Sequence, residues 1–448
     1  MSFVADLEAV LGFSLITDPD ITASYSKDQA PFAPSEPAAA VLLARSTEDI
    51  SKALAFCSSR NIPVVTRGAG SGLSGGANAD SKSLVISLEK MNQIIEIDPA
   101  NQLAKVQAGV INLDLDSAVK EFGMAYLPDP ASRDWSTLGG NVATNAGGMC
   151  CVKYGVTSHH VRALKVVLAS GQIIEVGKAT KKFVTTLDLL HLFVGSEGTL
   201  GIVTEIILNL VPRPKSPATL IATFPDIKQA AAASTDLLKY RPSMLEIIDE
   251  TTLKAVEQWH PLGFEVAGSI LIMQLDENFE VGDAAIATCK NHGMIDGIFS
   301  TDASDAADLI RVRKLAYPAL ERLGATLLDD VALPVTKIAE FVGLVQELAI
   351  DKNLTIGIFG HAGDGNMHPT IVHDHGDSEG EKRAQLAFAQ IVQIAQSLGG
   401  SASGEHGIGL IKRGFVLDEV DQSIIDIQRG IKTLLDPSGI LNPGKKIP

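Results

Sequence analysis

A chain of 448 residues is too long for one hydrophobic core, so we expect at least two domains in series. Its formal net charge of −16 repels nucleic acid and anionic lipid headgroups, and an aromatic content of 5% leaves little for stacking on single-stranded bases. The composition therefore excludes nucleic acid from the expected partners.

The N-terminus and the cysteines indicate the compartment. Residues 1–18 contain neither a basic start nor an uninterrupted apolar stretch, so no signal peptide is expected. No apolar run approaches the roughly 20 residues of a transmembrane helix. Four cysteines do not make a disulfide scaffold in a chain of this length, so we expect reduced thiols and a cytoplasmic protein.

The first part of the chain alternates helical and strand patterns around glycine-rich loops. Ser46 begins a capping box, and apolar residues follow at helical intervals until Asn61. Residues 63–67 have the pattern of a short strand, and further strands are predicted at 83–88 and 102–109. This part of the chain is expected to be α+β.

A domain boundary is predicted near residue 215, because Pro212 and Pro214 end an apolar run. Two strand–helix–strand patterns follow, at 220–249 and 269–300. They predict an antiparallel sheet with helices on one face, as in ferredoxin-like domains.

The loop at 67–80 contains Gly70-Ser71-Gly72-Leu73-Ser74-Gly75, which formally matches GxGxxG. A dinucleotide fingerprint of the Rossmann type needs a helix at the third glycine, whereas here a strand follows, so NAD binding is disfavoured. Successive backbone N–H groups still suit a diphosphate, with Arg67 at the mouth of the loop. A simple glycine-rich turn between strands is the alternative for this loop alone.

Two further segments share this composition of small and hydrogen-bonding residues, at 136–148 and at 195–205. Together with the sequences KYG (153–155) and GSEGTLGIVTE (195–205), the three segments resemble the FAD-binding domain of the vanillyl-alcohol oxidase and p-cresol methylhydroxylase superfamily. The resemblance implies an α+β fold: a two-subdomain FAD-binding domain of the vanillyl-alcohol oxidase type plus a ferredoxin-like α+β cap domain. The expected domains are an FAD-binding domain at 1–215, a substrate and cap domain with a metal site at 216–425, and a C-terminal segment at 426–448 that returns to the FAD domain.

The resemblance also implies which residues hold the cofactor. No His or Cys lies in the loop at 67–77, so we expect FAD to bind without a covalent link. The expected FAD-binding residues are Arg67, Gly68, Ala69, Gly70, Ser71, Gly72, Gly75, Gly76, Asp129, Pro130, Ser132, Thr137, Gly139, Gly140, Asn141, Ala143, Thr144, Asn145, Gly147, Gly148, Glu197, Gly198, Gly201, Ile202, Val203 and Asn442.

Histidines and a carboxylate form a second candidate site. His361 and His368 lie in a segment with three glycines, Gly360, Gly363 and Gly365, and Gly404-Glu405-His406-Gly407 adds a carboxylate and a third imidazole. Two His and one carboxylate with an open position is a pattern of catalytic metal sites. From the residues alone, ordinary hydrogen-bonded loop histidines are the alternative, and a metal-dependent hydrolase is a rival that lacks the HExxH helix.

FGHAGDGNMHP (359–369), SGEHGIG (403–409) and NPGK (442–445) resemble the C-terminal domain shared by glycolate oxidase flavoprotein subunits, D-lactate dehydrogenases and D-2-hydroxyglutarate dehydrogenases. By this resemblance His361, His368 and Glu405 bind a divalent metal, zinc first, with manganese and iron as alternatives. His406 is then the general base, and Arg313 holds the substrate carboxylate.

The resemblance implies FAD-dependent oxidation of a small D-2-hydroxy acid, D-lactate or glycolate. Tyr317, Leu328 and Thr370 occupy positions where D-2-hydroxyglutarate dehydrogenases carry Thr, Lys and Asn, so a second substrate carboxylate is poorly served. Electrons are expected to pass to a quinone, a cytochrome or an electron-transfer flavoprotein. The alternatives are an oxidase that uses O2 and a flavoprotein subunit that is active only within a multi-subunit glycolate oxidase complex.

Overall fold

The computed structural model describes residues 3–261 and 266–448, and for residues 303–309 it describes the backbone. The strands, in chain order, are β1 (Ala40–Leu43), β2 (Val64–Arg67), β3 (Leu84–Ser87), β4 (Ile94–Asp98), β5 (Leu103–Gln107), β6 (Met124–Ala125), β7 (Val161–Val167), β8 (Ile173–Gly177), β9 (Ile202–Asn209), β10 (Val211–Pro212), β11 (Ala218–Phe224), β12 (Met244–Ile248), β13 (Ser269–Leu275), β14 (Asp296–Ser300), β15 (Ala325–Leu328), β16 (Val331–Ala332), β17 (Thr355–His361) and β18 (Asn366–His373).

The α-helices of the described residues, in chain order, are α1 (Val4–Leu11), α2 (Pro19–Tyr25), α3 (Thr47–Arg60), α4 (Asn112–Lys120), α5 (Leu138–Thr144), α6 (Cys151–Tyr154), α7 (Leu190–Phe193), α8 (Ile227–Leu237), α9 (Glu250–Trp259), α10 (Gly282–Asn291), α11 (Ala303–Glu321), α12 (Ile338–Lys352), α13 (Ser378–Ser397), α14 (Arg413–Glu419) and α15 (Gln422–Leu435). Short 3-10 turns link several of them. In this part of the chain each helix is too short or too polar to span a bilayer.

The chain divides into two compact units. Unit 1 consists of Met1–Gly147, Val156–Arg213 and Glu405–Pro448, and unit 2 consists of Gly148–Gly155 and Pro214–Gly404. Each unit is therefore built from separate stretches of the sequence.

Unit 1 contains a parallel three-stranded sheet in the order β1-β3-β2. Helix α3 begins as the capping box predicts, because the Ser46 side chain accepts a hydrogen bond from Asp49 N at 3.1 Å. It ends at Asn61, whose φ of 54° is left-handed. The apolar face of α3 packs on this sheet, and the strand β2 delivers the chain directly into the glycine loop at 67–77.

A second sheet in unit 1 is antiparallel, in the order β4-β5-β9-β7-β8. Its core includes residues from α4, α5 and α7, among them Leu115, Val142 and Phe193. Strand β9 directly follows the segment 195–201, and α5 lies within the segment 136–148. The second and third glycine-rich segments are therefore anchored by elements of one core.

The C-terminal part of unit 1 begins at Glu405, earlier than the predicted residue 426. The reason is hydrogen bonding to a residue distant in sequence: Ile408 N and Gly409 N both donate to the carboxylate of Glu197. Farther on, Leu441 forms a parallel bridge with Val64 and is fully buried in the core of the parallel sheet. Residues 405–448 belong to unit 1 because their partners are distant in sequence, and composition does not reveal such partners.

Unit 2 is built on an eight-stranded antiparallel sheet in the order β14-β11-β13-β12-β17-β18-β15, with β16 paired to β18. This confirms the predicted antiparallel α+β architecture. All seven side chains of β13 are buried, so this sheet is covered on both faces rather than on one. One face packs against α9 and α11 through Ile270, Ile272 and Phe359.

Candidate active site

The glycine loop after β2 forms one wall of a cavity in unit 1. Gly70 has a φ of +79°, and a Cβ at this position would lie 2.2 Å from the Arg67 guanidinium. Arg67 donates to the backbone oxygens of Lys27 and Ala69, at 2.5 and 3.2 Å. The guanidinium therefore supports the loop from beneath, and burial lowers its pKa.

The cavity, of about 220 Å³, is lined by residues from all three glycine-rich segments. The lining includes most of the predicted FAD-binding residues: Gly68, Ala69, Gly70, Ser71, Gly72, Gly76, Pro130, Ser132, Thr137, Gly139, Gly140, Asn141, Ala143, Thr144, Gly147, Glu197, Gly198 and Asn442. Glu405 and His406 line the same cavity.

The remaining predicted FAD-binding residues are Arg67, Gly75, Asp129, Asn145, Gly148, Gly201, Ile202 and Val203, and they lie outside this lining. Arg67 lines an adjoining cleft of about 690 Å³, which shares Gly68, Ala69 and Thr137 with the cavity. Ile202 is fully buried in the core, and a Cβ on Gly201 would lie 2.5 Å from Val166. These two positions contribute to packing, and any contact they make with FAD stays a prediction.

The lining of the cavity suits a cofactor that carries hydrogen-bonding groups and a ring. Asn141 Nδ2 and Thr66 Oγ1 are buried side-chain atoms that have no hydrogen-bond partner among the described residues, and both residues line the cavity. Buried polar groups in native proteins normally have partners, so a bound ligand with acceptors is the natural one for Asn141. The glycines meanwhile let the backbone approach a ring closely.

Glu197 anchors the segment that carries Glu405 and His406. Its side chain is buried, and its two oxygens accept from Ile408 N at 2.8 Å and Gly409 N at 2.7 Å. Ser74, in the first glycine loop, donates to the backbone oxygen of His406 at 3.2 Å. The backbone around His406 is therefore tied to two of the three glycine-rich segments.

Two charged groups that sequence reasoning missed lie beside the glycine loop. Asp28 lines the cavity, and burial raises the pKa of its carboxyl despite hydrogen bonds from Ala30 and Ala77 and the nearby Lys445. Burial lowers the pKa of the Lys445 ammonium to about 8, although Asp28 and Glu197 oppose the shift. Lys445 donates to the backbone oxygens of Gly76 and Asn78, so it supports the end of the loop.

Unit 2 carries the second group of predicted site residues. His361 is the last residue of β17, and His368 is the third residue of β18. Their rings lie edge to face with centroids 5.2 Å apart. Both side chains are buried, and a ring nitrogen of each lies within 4.8 Å of the other. Paired imidazoles of this kind fit zinc, manganese or iron. Glu405, the third predicted ligand, belongs to unit 1.

Arg313 lies on α11 and faces Glu246, a residue that sequence reasoning missed. Arg313 Nε donates to Glu246 Oε2 at 2.6 Å, and His361 Nδ1 lies 2.7 Å from Glu246 Oε1. Burial would raise the pKa of Glu246, but the charges and hydrogen bonds of His361 and Arg313 outweigh it and hold the pKa below its usual value. The only sequence signal for Glu246 is that it is the one charged residue within the apolar strand β12.

The residues expected near the tail of the substrate lie on α11, β15 and β18 of unit 2. Tyr317 follows Arg313 by one helical turn, and its hydroxyl lies 3.2 Å from Thr326 Oγ1. Leu328 and Thr370 are directly opposite each other on β15 and β18. Tyr317 and Leu328 both pack on the apolar cluster around Phe359.

Two family models match the chain. A model described as the C-terminal domain of FAD linked oxidases matches residues 213–446, and one described as an FAD binding domain matches residues 38–177.

Several curated relatives match this chain over most of the length of both proteins. The glycolate oxidase subunit GlcD of Bacillus subtilis is 41% identical over 429 residues, which are 94% of this chain and 91% of the relative. A D-lactate dehydrogenase of Anaerostipes hadrus is 36% identical over 421 residues, which are 90% of this chain and 88% of the relative.

Among solved structures, p-cresol methylhydroxylase with substrate bound is similar with a TM-score of 0.80 at 18% sequence identity. The match covers 99% of this chain and 96% of that one. At this identity the likeness shows the fold alone.

Proposed function

The chain belongs to the family of FAD-linked oxidases, and from that premise we propose that it oxidises a small D-2-hydroxy acid to the 2-oxo acid. It is an FAD-linked oxidoreductase of the hydroxy-acid-oxidising type.

One observation carries the proposal: His406 and Glu405 line the same cavity of unit 1 as the three glycine-rich segments. A histidine in a flavin cavity is well suited to take a proton near neutral pH, because its ordinary pKa is about 6.5. We therefore assign His406 as the general base for the substrate hydroxyl.

The remaining roles divide between orientation and proton transfer. FAD, when bound, supplies an acceptor for the hydride of the substrate carbon that carries the hydroxyl. Arg313 binds the substrate carboxylate, since a planar guanidinium matches its two oxygens. His406 removes the hydroxyl proton, so that charge does not accumulate on the oxygen as the carbonyl forms.

We further propose a divalent metal on His361 and His368, with zinc as the first candidate and manganese or iron as alternatives. The resemblance adds Glu405 as the third ligand. The support from the structure is the donor set in unit 2, two buried imidazoles that face each other. Such a metal would lower the pKa of a hydroxyl bound to it.

The tail of the substrate is proposed to be small and uncharged, as in D-lactate or glycolate. Leu328 and Tyr317 present an aliphatic chain and a phenol in the region beyond Arg313, and neither carries a cation. An uncompensated second carboxylate there would lose its hydration without gaining a partner. Changing Leu328→Lys should therefore lower the KM for D-2-hydroxyglutarate relative to that for D-lactate.

We propose a quinone, a cytochrome or an electron-transfer flavoprotein as the acceptor, and further subunits of a glycolate oxidase complex as partners. The name of the Bacillus relative, a glycolate oxidase subunit, supports the proposal of further subunits. Turnover of the isolated chain with an artificial dye would contradict dependence on a complex, and stoichiometric consumption of O2 would favour the oxidase alternative.

The deciding experiment is an anaerobic visible spectrum of the FAD-loaded protein before and after adding D-lactate or glycolate. We expect the flavin band to bleach with the substrate and to stay unchanged in His406→Ala, which should retain its flavin. A wild-type band that neither compound bleaches would contradict the proposed substrate. Bleaching of His406→Ala at the wild-type rate would contradict the assignment of the base.

A further inference from the structure

Glu246 is a buried acidic residue to which the resemblance assigns no role. It lies within the apolar strand β12, and its side chain is 0% exposed. A buried carboxylate is costly unless its oxygens have strong partners. Each oxygen of Glu246 has one, His361 Nδ1 at 2.7 Å on Oε1 and Arg313 Nε at 2.6 Å on Oε2.

Three elements of unit 2 fix this arrangement. The antiparallel register of β12 and β17 places Glu246 directly opposite His361, so the two side chains share one face of the sheet. Arg313 comes from α11, and its guanidinium carbon lies 4.7 Å from the ring centroid of Phe359. Phe359 precedes His361 by two positions on β17 and therefore faces the same way.

We propose that Glu246 is the positioning residue of this site, which holds the His361 ring for metal binding and the Arg313 guanidinium for the substrate carboxylate. The inference rests on the proposed function. An ionised carboxylate only accepts hydrogen bonds, so the neutral, metal-binding form of His361 carries its proton on Nδ1 and offers the lone pair of Nε2 as the ligand. Arg313 bonds Glu246 through Nε, so its two terminal nitrogens are the fork that meets the substrate.

The proposal explains why this position holds Glu. Two donors meet one side chain, and only a carboxylate accepts at both of its ends. In Glu246→Gln the amide NH2 would face either His361 or Arg313 as a second donor. In Glu246→Asp the charge remains, but the chain is one methylene shorter and does not reach both partners.

The test compares wild type, Glu246→Gln, Glu246→Asp and the matched control Glu250→Gln. Glu250 is 47% exposed on α9 and pairs with Lys254 outside this cluster. For each protein we would measure the FAD content, Zn2+ binding after removal of metal with a chelator, and the KM and kcat for D-lactate. On wild type and His361→Gln, nitrogen-15 NMR of labelled histidines would report the His361 tautomer without any turnover.

We expect wild-type His361 to be protonated on Nδ1, with that signal lost or shifted in Glu246→Gln. Zn2+ binding should weaken by roughly 10–100-fold in both Glu246 variants. The KM for D-lactate should rise by about ten-fold, more than kcat falls, because a charge-assisted orientation is lost. The FAD content should stay at the wild-type level, and Glu250→Gln should match wild type throughout.

Two results would overturn the proposal: a neutral wild-type His361 protonated on Nε2 alone, or Glu246 variants with wild-type Zn2+ affinity and KM. Failure of the proposed function gives a different result, in which wild-type protein binds no Zn2+ and no 2-hydroxy acid bleaches its flavin. The tautomer of His361 then still decides whether Glu246 positions this ring. If neither Glu246 variant folds, the wild-type tautomer measurement decides alone.

Discussion

Gly70 shows how one missing side chain shapes the glycine loop at 67–77. The position combines a left-handed backbone with a guanidinium where a Cβ would be, so two separate constraints exclude other residues. Gly12, at the end of α1, has almost the same φ of +78° but has no atom within 4 Å of a Cβ. Comparing substitutions at Gly12 and Gly70 therefore separates the free energy of backbone strain from the free energy of displacing Arg67.

Gly70→Ala is expected to reduce FAD retention, whereas Gly12→Ala should leave it unchanged. Both variants carry the strain of a left-handed alanine, on the order of 1 kcal/mol, but only Gly70→Ala must move Arg67 away from the oxygens of Lys27 and Ala69. The ratio of flavin to protein absorbance after gel filtration measures the difference. Equal flavin ratios in the two variants would show that Arg67 does not support the loop.

At this scale the sequence predicted residue types better than their tasks. Most of the expected glycines, together with Asn141 and Thr137, line the cavity, and their contact with FAD stays a prediction. Arg67 was expected at the mouth of the loop, but its guanidinium donates to the backbone oxygens of Lys27 and Ala69. Glu246 was missed because a lone Glu in an apolar strand becomes informative only when the fold brings His361 and Arg313 to it.

Among the elements, the segment that contains His406 has no regular secondary structure and depends on Glu197 for its backbone partners. Glu197 itself has a φ of 51°, in the left-handed region that side chains rarely adopt. The Glu197 carboxylate accepts hydrogen bonds from two backbone N–H groups of a distant loop. The surrounding structure must hold Glu197 in this strained conformation.

Glu197→Gln should loosen this loop and slow flavin reduction by the 2-hydroxy acid. An amide has one acceptor oxygen, so Ile408 N and Gly409 N can no longer both have a good partner. Hydrogen exchange of these two amides should become faster than in wild type. Glu205→Gln, which loses ion pairs to Lys105 and Lys165 on the five-stranded sheet, should leave the two amides protected. Unchanged exchange in Glu197→Gln would contradict the anchoring role.

Helix α9 illustrates a buried cap whose charge is unfavourable. The Asp249 side chain accepts from Thr252 N at 2.8 Å, and burial raises its pKa to about 6, against the hydrogen bonds that lower it. The folded protein thus holds this proton more tightly than the unfolded chain. Stability from this group is fully present below the unfolded pKa near 3.8 and is lost as the pH rises to about 6.

Asp249→Asn is expected to raise the Tm relative to wild type at pH 7.5 and to have a smaller effect at pH 4.5. Asn caps helices about as well as Asp but carries no charge to bury, and the difference has an upper bound of roughly 3 kcal/mol. Thermal unfolding at the two pH values measures it. A Tm difference that is the same at both pH values would show that ionisation of Asp249 is not the cause.

Local signals predicted these elements where local chemistry decides them. The capping box at Ser46 and the left-handed Asn61 bound α3 as expected, because both act within one helical turn. The start of the C-terminal return was placed too late, since it depends on Glu197, more than 200 positions away. The two-sided burial of the sheet in unit 2 was also missed, because strand periodicity does not count the layers on either side.

For the molecule as a whole, the discontinuity of unit 1 is the main feature. Residues 405–448 contribute Ile440 and Leu441 to the core of the parallel sheet. They also contribute Glu405, His406 and Asn442 to the lining of the cavity. The FAD-binding unit is therefore incomplete without a segment that follows unit 2 in the sequence.

A chain that ends at Gly404 should retain no FAD and should unfold at a lower temperature than the full chain. It loses the bridge between Val64 and Leu441, and Asn442 can no longer donate to the backbone oxygen of Glu197. Flavin absorbance after reconstitution and calorimetry measure both effects. Stoichiometric FAD in the shortened chain would show that the first two stretches of unit 1 suffice.

The order of the segments also matters during synthesis. A ribosome that adds about 5–20 residues per second needs roughly 10–40 s to translate unit 2 between the second and third stretches of unit 1. During this interval the edge of β2 that later pairs with Leu441 has no native partner, and the cavity lined by the glycine-rich segments lacks one wall. We therefore expect cofactor loading to be a late event and the nascent first half to be the form most exposed to aggregation.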